Sequence, residues 1–249
     1  MSSLANDPIY CPENIALFEA IYGKNLISLG GFAAVDNMFS DLNIRGLTAL
    51  DLGFGLGGVV FYLAEAYQME IAGVEIHSWM VKHAQMHAPP TVTHSLQFDV
   101  YNVQGEIPFA AKSFDLVYSK GVLNHVKDKD ALFRQVNLVL KPKGLFVIAD
   151  WIFTQSKTDN TGPLVKETRK SYLHALESTG FSDINFRDDS KIFLCYIKLL
   201  QKNLTNRREY IEQKYGKEIF STLWKEHQNL IEEINYARKF AVRIVAKKQ

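Results

Sequence analysis

The 249-residue chain is 47% hydrophobic and 22% charged, enough apolar material for the core of one globular domain. Its 28 basic and 27 acidic side chains leave a formal charge of +1, so no global field draws it to nucleic acid or to an anionic membrane. Cys11 and Cys195 stand far apart with no CxxC, which excludes a disulfide framework and a cysteine zinc site.

The opening "MSSLANDPIYCPEN" lacks the basic-then-apolar order of a signal peptide. Residues 9–42 read as helices, with "NLISLGG" as the loop between them. From residue 48 to about 188, short apolar runs alternate with amphipathic stretches, as βαβ units do. The runs are "TALDLG", "EIAGVEI", "HSLQFDV", "FDLVYS", "GLFVIAD" and "FSDINFRD". Ser78 is the expected N-cap of the helix "WMVKHAQMHA", which Pro89 and Pro90 stop. Asp128 caps a second helix, and Pro142 and Gly144 of "LKPKG" turn the chain into the next strand. The apolar stretch "GLFVIADWIF" is too short, and too interrupted by Asp150, to span a membrane. Residues 191–238 are helical again, and "KFAVRIVAKK" is a last strand.

The expected fold is α/β: a Rossmann-like, seven-stranded, mostly parallel sheet with helices on both faces. An N-terminal helical lid precedes it, and a helical insertion comes before the last strand. One domain over 1–249 is expected, with a lid at 1–45, a cofactor-binding core at 46–150 and an acceptor-side region at 151–249. A cytoplasmic location follows from the soluble composition.

"LDLGFGLGG" places Gly53, Gly55 and Gly58 as G-x-G-x-x-G between a strand and a helix, where backbone can approach a ligand closely. Glu75 ends the second strand 22 positions after Gly53, where an acid can accept from both ribose hydroxyls. Either NAD or S-adenosylmethionine satisfies that pair. Asp51 separates them. A carboxylate two residues before the first glycine repels a pyrophosphate but attracts the α-ammonium of S-adenosylmethionine. Asp99 closes the third strand, where it can accept from an adenine amino group while Val100 packs on the ring.

These residues resemble the class I S-adenosylmethionine-dependent methyltransferases, through "LDLGFGLGG", "GVEI", "FDV", "FDLVYSKGVLNHV" and "LKPKG". With "FEAIYGKNLISLGG" added, the chain is similar to the phosphoethanolamine N-methyltransferases. The resemblance implies S-adenosyl-L-methionine as cofactor and S-adenosyl-L-homocysteine as product. It puts Ile27 and Ser28 at the cofactor's methionine end above Gly53, Glu75 and Ile76 on ribose and adenine, and Asp99 and Val100 on the adenine edge and face. Ser119, just past the fourth strand's apolar run, joins the cofactor-binding set. The resemblance also implies a catalytic dyad of Tyr10 and His125 over the reacting amine.

The acceptor side departs from the family. Lys120 and Gly121 stand where the family has an arginine–aspartate pair, Trp151 replaces a tyrosine, and the expected lysine falls near Leu230. Arg169 and Tyr172 are candidate remnants of a phosphate-gripping cluster in "IFTQSKTDNTGPLVKETRKSY".

The expected function is transfer of a methyl group to a small-molecule acceptor, an amine, with no nucleic-acid or membrane partner. Whether the chain acts as a monomer or a homodimer is open. The rivals are oxygen or carbon methylation, another use of the same cofactor, a non-catalytic binding module, and an NAD-dependent reductase. His83 and His87 share a helix face at i, i+4 but lack HExxH and a third ligand, so a solvated face, not a metal, is expected. Tyr22, Phe32, Trp151, Phe153 and Trp224 are aromatics that pack the core or line an acceptor pocket.

Overall fold

A computed structural model describes residues 10–101, 106–155 and 165–249. Residues 1–9 of the expected lid, and residues 156–164 of the expected acceptor segment, lie outside them.

Two helices open the described chain, α1 (Ile15–Tyr22) and α2 (Gly31–Phe39). The core follows as β1 (Thr48–Leu52), α3 (Gly58–Tyr67), β2 (Glu70–Glu75), α4 (Ser78–His87), β3 (Leu96–Val100) and β4 (Phe114–Lys120). Then come α5 (Lys129–Val139), β5 (Leu140–Phe153), α6 (Arg169–Ser178) and β6 (Phe181–Asp188). The insertion is α7 (Ser190–Asn206), α8 (Arg208–Tyr215) and α9 (Lys217–Asn235), and β7 (Lys239–Lys248) closes the chain.

The sheet order is β3-β2-β1-β4-β5-β7-β6. Pairing is parallel from β3 to β5, and β7 lies antiparallel between β5 and β6. The chain therefore leaves β1 in one direction and returns to β4 in the other. Such a switch point opens a crevice at the strands' carboxyl ends.

Each face of the sheet is covered because the strands read as apolar runs on both sides. On one face Leu132, Phe133, Val136 and Val139 of α5 pack with Tyr172 and Leu176 of α6. Phe133 meets Phe146 edge-on with ring centres 5.2 Å apart. On the other face α2, α3 and α4 contribute Val35, Met38, Val60, Leu63 and Val81. The insertion packs instead on the lid: Leu17 and Ile21 of α1 join Leu200, Leu204, Ile211 and Phe220. The opposite side of α1, through Phe18, faces Leu56 and Met80 beside the crevice. The lid is thus clamped between insertion and crevice.

Three local expectations change. The residue before α4 that takes the cap position is His77, not Ser78, and neither supplies a side-chain cap bond. Asp128 does cap α5, accepting from Ala131 N at 2.9 Å. "LKPKG" is not a separate turn before the strand: β5 already begins at Leu140. Its pairing with β4 jumps from Phe114↔Leu140 to Leu116↔Leu145, so Pro142, Lys143 and Gly144 bulge out of the ladder, with Lys143 at φ 66. His83 is not on a solvated face. It is buried, bonds Asn25 Oδ1 from Nε2 at 3.2 Å and stacks on His87. Burial, with His87 alongside, holds His83 below the usual histidine range.

Candidate active site

At the switch point a single cavity is lined by Tyr10, Ile27, Ser28, Asp51, Gly53, Glu75, Ile76 and His125. Eight residues singled out in the sequence, from five separate stretches, meet there. Gly55, Gly58, Asp99, Val100 and Ser119 do not border it.

The glycine loop divides its work. Gly53 has φ +86, and a Cβ there would sit 2.6 Å from a Val122 methyl, so it keeps the cavity wall low. Gly55 and Gly58 instead admit the lid loop. A Cβ on Gly55 would meet Ile27 at 2.6 Å, and one on Gly58 would meet the Asn25 carbonyl at 2.5 Å. Gly58 N donates to that same carbonyl at 3.0 Å. Asn25 holds a left-handed φ of 57, which asparagine tolerates better than most residues. Its backbone is fixed by Glu19, which accepts from Asn25 N at 2.9 Å.

Glu75 is buried at the end of β2. Its carboxylate accepts from Gly55 N at 3.1 Å, Ile76 N at 2.8 Å and His77 N at 3.2 Å, with His77 Nδ1 at 3.1 Å. That pins the acid beside the loop, facing the cavity. Asp99 accepts from Gln97 Nε2 at 3.2 Å, and Val100 is exposed. Tyr101, next in the chain, is the residue that turns in: its N–H bonds Glu75 O at 2.8 Å and it lines the cavity. Ser119 is buried and donates to Leu52 O at 3.2 Å, tying β4 to β1.

Buried Asp51 and half-buried Lys120 both line the cavity wall, each within the other's electrostatic reach. Burial pushes the Asp51 carboxyl up to about 7, against the Tyr118 hydroxyl and the Lys120 charge, which favour ionisation. Burial likewise brings Lys120 down to about 8, opposed by Asp51. Lys120 Nζ donates to Ser28 Oγ at 2.7 Å and Leu29 O at 2.9 Å, so it latches the lid loop. A carboxyl that a nearby cation would ionise, set beside a lysine, matches an α-amino-carboxylate zwitterion better than a pyrophosphate. With Gly53 low and Glu75 opposite, the residues present fit S-adenosylmethionine. Asp51 and Lys120 would take its amino-acid end, and Glu75 and Ile76 its nucleoside.

A titration follows. Native Asp51 keeps its proton between its unfolded value of 3.8 and about 7, so native protein binds more protons than unfolded chain there. Stability must therefore fall as pH rises through that window. Asp51→Asn is expected to remove that slope and to raise the melting temperature of cofactor-free protein at pH 8. Each kcal/mol recovered is worth roughly 2–4 °C in a domain of this size. Calorimetric melts at pH 5 and pH 8 check it; equal melting temperatures for the two proteins at pH 8 would contradict it.

On the acceptor side, His125 ends a 3-10 turn, Leu123–His125, just past β4. Its N–H bonds Val122 O at 3.0 Å. Asn124 N donates to Asp150 Oδ2 at 3.0 Å, and Asn124 Nδ2 to Trp151 O at 3.0 Å. Burial pushes Asp150 up to about 6, while the N–H groups of Trp151 and Asn124 favour its charge. Two strands' ends therefore aim His125. Tyr10 stacks on Phe18 with centres 5.7 Å apart and lies 5.9 Å from the His77 ring.

The candidate phosphate remnants go elsewhere. Tyr172 is wholly buried, and Arg169 lies over the Phe186 ring at 4.9 Å. Leu230 is half-buried on α9. Phe32 is exposed and stacks on Tyr62 at 4.5 Å, and exposed Trp224 lies over Phe220. Tyr22 is half-buried between the lid and insertion clusters. Trp151 and Phe153 lie beneath Lys239 and do not border the cavity. Sequence reasoning missed His77 and Tyr101, which line it. No group of three or more His, Cys, Asp or Glu among the described residues is placed to hold a metal.

Residues 50–148 match the family described as "Methyltransferase domain". These residues are similar to a methyltransferase domain. The chain is 30% identical over 203 residues to phosphoethanolamine N-methyltransferase 1 of Triticum aestivum, which is 78% of this chain and 40% of that one. It is 27% identical over 225 residues to phosphoethanolamine N-methyltransferase of Plasmodium falciparum, 86% of this chain and 84% of that one. The chain thus spans less than half the length of the plant relatives it matches. Among solved structures it shares its fold with Haemonchus contortus phosphoethanolamine N-methyltransferase 2, bound there to phosphomonomethylethanolamine and S-adenosylhomocysteine. That likeness has a TM-score of 0.86 at 21% identity and covers 99% of this chain and 60% of that one. The chain therefore shares that protein's fold, with the cavity at the switch point of the sheet.

Proposed function

We propose that the chain is an S-adenosylmethionine-dependent methyltransferase that methylates the nitrogen of a small-molecule amine. The observation that carries this reading is the meeting of Tyr10 and His125 with Asp51, Gly53 and Glu75 around one cavity. The matched family and the N-methyltransferase relatives support it.

The cofactor, when bound, supplies a sulfonium methyl that needs no further activation. The chain's own residues then have three tasks. Asp51, Lys120, Glu75 and Ile76 fix the donor, and the lid loop, latched by Lys120, excludes water. His125 takes the proton from the amine, because only the neutral nitrogen carries a free electron pair. Tyr10 closes the cavity over the amine and restrains its approach.

Gly121, φ +73, offers open space where a Cβ would meet nothing within 4 Å, so no acid at that position contacts an ammonium. This favours a second reading, methylation of oxygen or carbon in an acceptor that never carries a charge there. Residues 10–249 work as one unit in both readings, and two free cysteines, Cys11 and Cys195, suit a cytoplasmic enzyme. Among the described residues no helix is long and apolar enough to cross a membrane.

The test is transfer of labelled methyl from S-adenosylmethionine to a panel of amines, alcohols and phenols. Label on an amine supports the reading. Label confined to oxygen or carbon acceptors moves the assignment to the second.

A further inference from the structure

Lys129 stands where both the helix and the core disfavour it. It is the first residue of α5, where the helix dipole opposes a cation. Its side chain is 4% exposed, where a lone ammonium is costly. Three partners offset that cost. Glu167 Oε1 lies 3.0 Å from Nζ, the Val126 carbonyl accepts from Nζ at 2.8 Å, and the Tyr172 ring centre is 5.7 Å away. Replacing a buried ion pair by apolar side chains of similar volume is often neutral or stabilising, so stability alone does not explain this one.

What the pair holds is the turn that carries His125. Val126, next in the chain, borders the cavity, and its carbonyl is the one that Lys129 grips. On the other side of His125, the Asn124 carbonyl accepts from Val165 N at 2.7 Å, and Glu167 O accepts from Phe153 N at 2.7 Å. Glu167 Oε2 accepts from Ser171 Oγ, which in turn accepts from Thr168 N at 2.9 Å. Residues 165–167 thus strap the turn to the end of β5, and Lys129 closes the strap by tying Glu167 to Val126. The ammonium also favours the charged form of Asp150, whose carboxylate accepts from Asn124 N.

We propose that Lys129, paired with Glu167, is a positioning residue that sets where the His125 imidazole stands in the cavity. Neither side chain of the pair lines the cavity, so it acts through the turn and not on the acceptor. The catalytic meaning of this role rests on the amine-methyltransferase reading; the position of His125 does not.

The test is a double-mutant cycle on kcat, with the panel amine that accepts labelled methyl, below the melting temperature of every variant. Its corners are wild type, Lys129→Met, His125→Ala and the two combined. Methionine keeps the buried stem and removes the ammonium. Lys129→Met is expected to lower kcat at least about tenfold, with affinity for S-adenosylhomocysteine within about threefold of wild type. In the His125→Ala background it should lower kcat less than about threefold, because the imidazole it positions is gone. Equal losses in both backgrounds, or no loss in the first, would overturn the proposal. Lys129→Met also strands the Glu167 carboxylate, so Lys129→Met with Glu167→Met separates grip from stability, and it takes the place of Lys129→Met should that variant not fold. Its melting temperature should return towards wild type while kcat stays low; a kcat that recovers would make the pair structural. Should no amine accept label, the methyltransferase reading fails separately. Proton–carbon NMR of His125 Cε1, assigned by its loss in His125→Ala, then decides the positional claim. A signal shifted or broadened in the paired variant supports it, and an unchanged signal overturns it.

Discussion

His125→Ala is expected to lower kcat by at least about a hundredfold, in line with loss of a positioned general base. Affinity for S-adenosylhomocysteine should stay within about threefold, because the residue acts on the acceptor and not on the donor. His125 stands at the end of a turn whose N–H groups bond Val122 O and Asp150, while the residues proposed to hold the donor come from β1, the ends of β2 and β4, and the lid loop. Removing the imidazole leaves that framework intact. Stopped-assay kinetics and calorimetry on the same preparations measure both quantities. Equal loss of turnover and donor affinity would recast His125 as a packing residue.

Gly53→Ala attacks the donor side and should lower affinity for S-adenosylhomocysteine by at least about tenfold. Two costs combine. The left-handed conformation at φ +86 costs an alanine about 1 kcal/mol or more. Its methyl would also lie 2.6 Å and 2.9 Å from the two Val122 methyls, forcing Val122 to move. Val122 O is the acceptor for His125 N, so the displacement reaches the base as well as the donor. Gly121→Ala is the control: its φ is +73, yet a Cβ there meets nothing within 4 Å. It carries the strain without the collision and should lose much less donor affinity. Matching losses at the two positions would mean that backbone strain, not the cavity wall, is what Gly53 supplies.

The parts of this site that could be read from sequence are those whose chemistry is carried by a local pattern. Asp51, Gly53 and Glu75 sit at strand ends, where the alternation of apolar runs already locates them. Asp128 announces its cap because the capping bond spans only three residues. What could not be read depends on contacts between distant segments. Gly55 and Gly58 look like ligand-cradling glycines, but the groups that crowd them are Ile27 and Asn25, about thirty residues upstream. His83 looked exposed because its partner, Asn25, is 58 residues away. Lys239 meets Trp151 only because β5 and β7 pair antiparallel, with Phe153 opposite Lys239 and Trp151 opposite Ala241. No spacing within either strand reveals that register. "LKPKG" misled for another reason: proline and glycine mark a break in the ladder, and a bulge breaks it as well as a turn does.

The lid's position has the same origin. The apolar spacing of α1 predicts one buried face, but both of its sides are in use. Leu17 and Ile21 meet the insertion, and Phe18 meets the crevice wall. The insertion thus packs on the helix whose Phe18 stacks with Tyr10, although it contributes none of the residues that line the cavity.

The central claim is that the cavity at the β1/β4 switch point takes S-adenosylmethionine. Isothermal titration calorimetry of the purified chain with S-adenosylmethionine, S-adenosylhomocysteine and NADH tests it most directly. The account predicts one-to-one binding of both sulfur compounds, weakened in Gly53→Ala, and no heat from NADH. Binding of NADH with neither sulfur compound bound at millimolar concentration would contradict it.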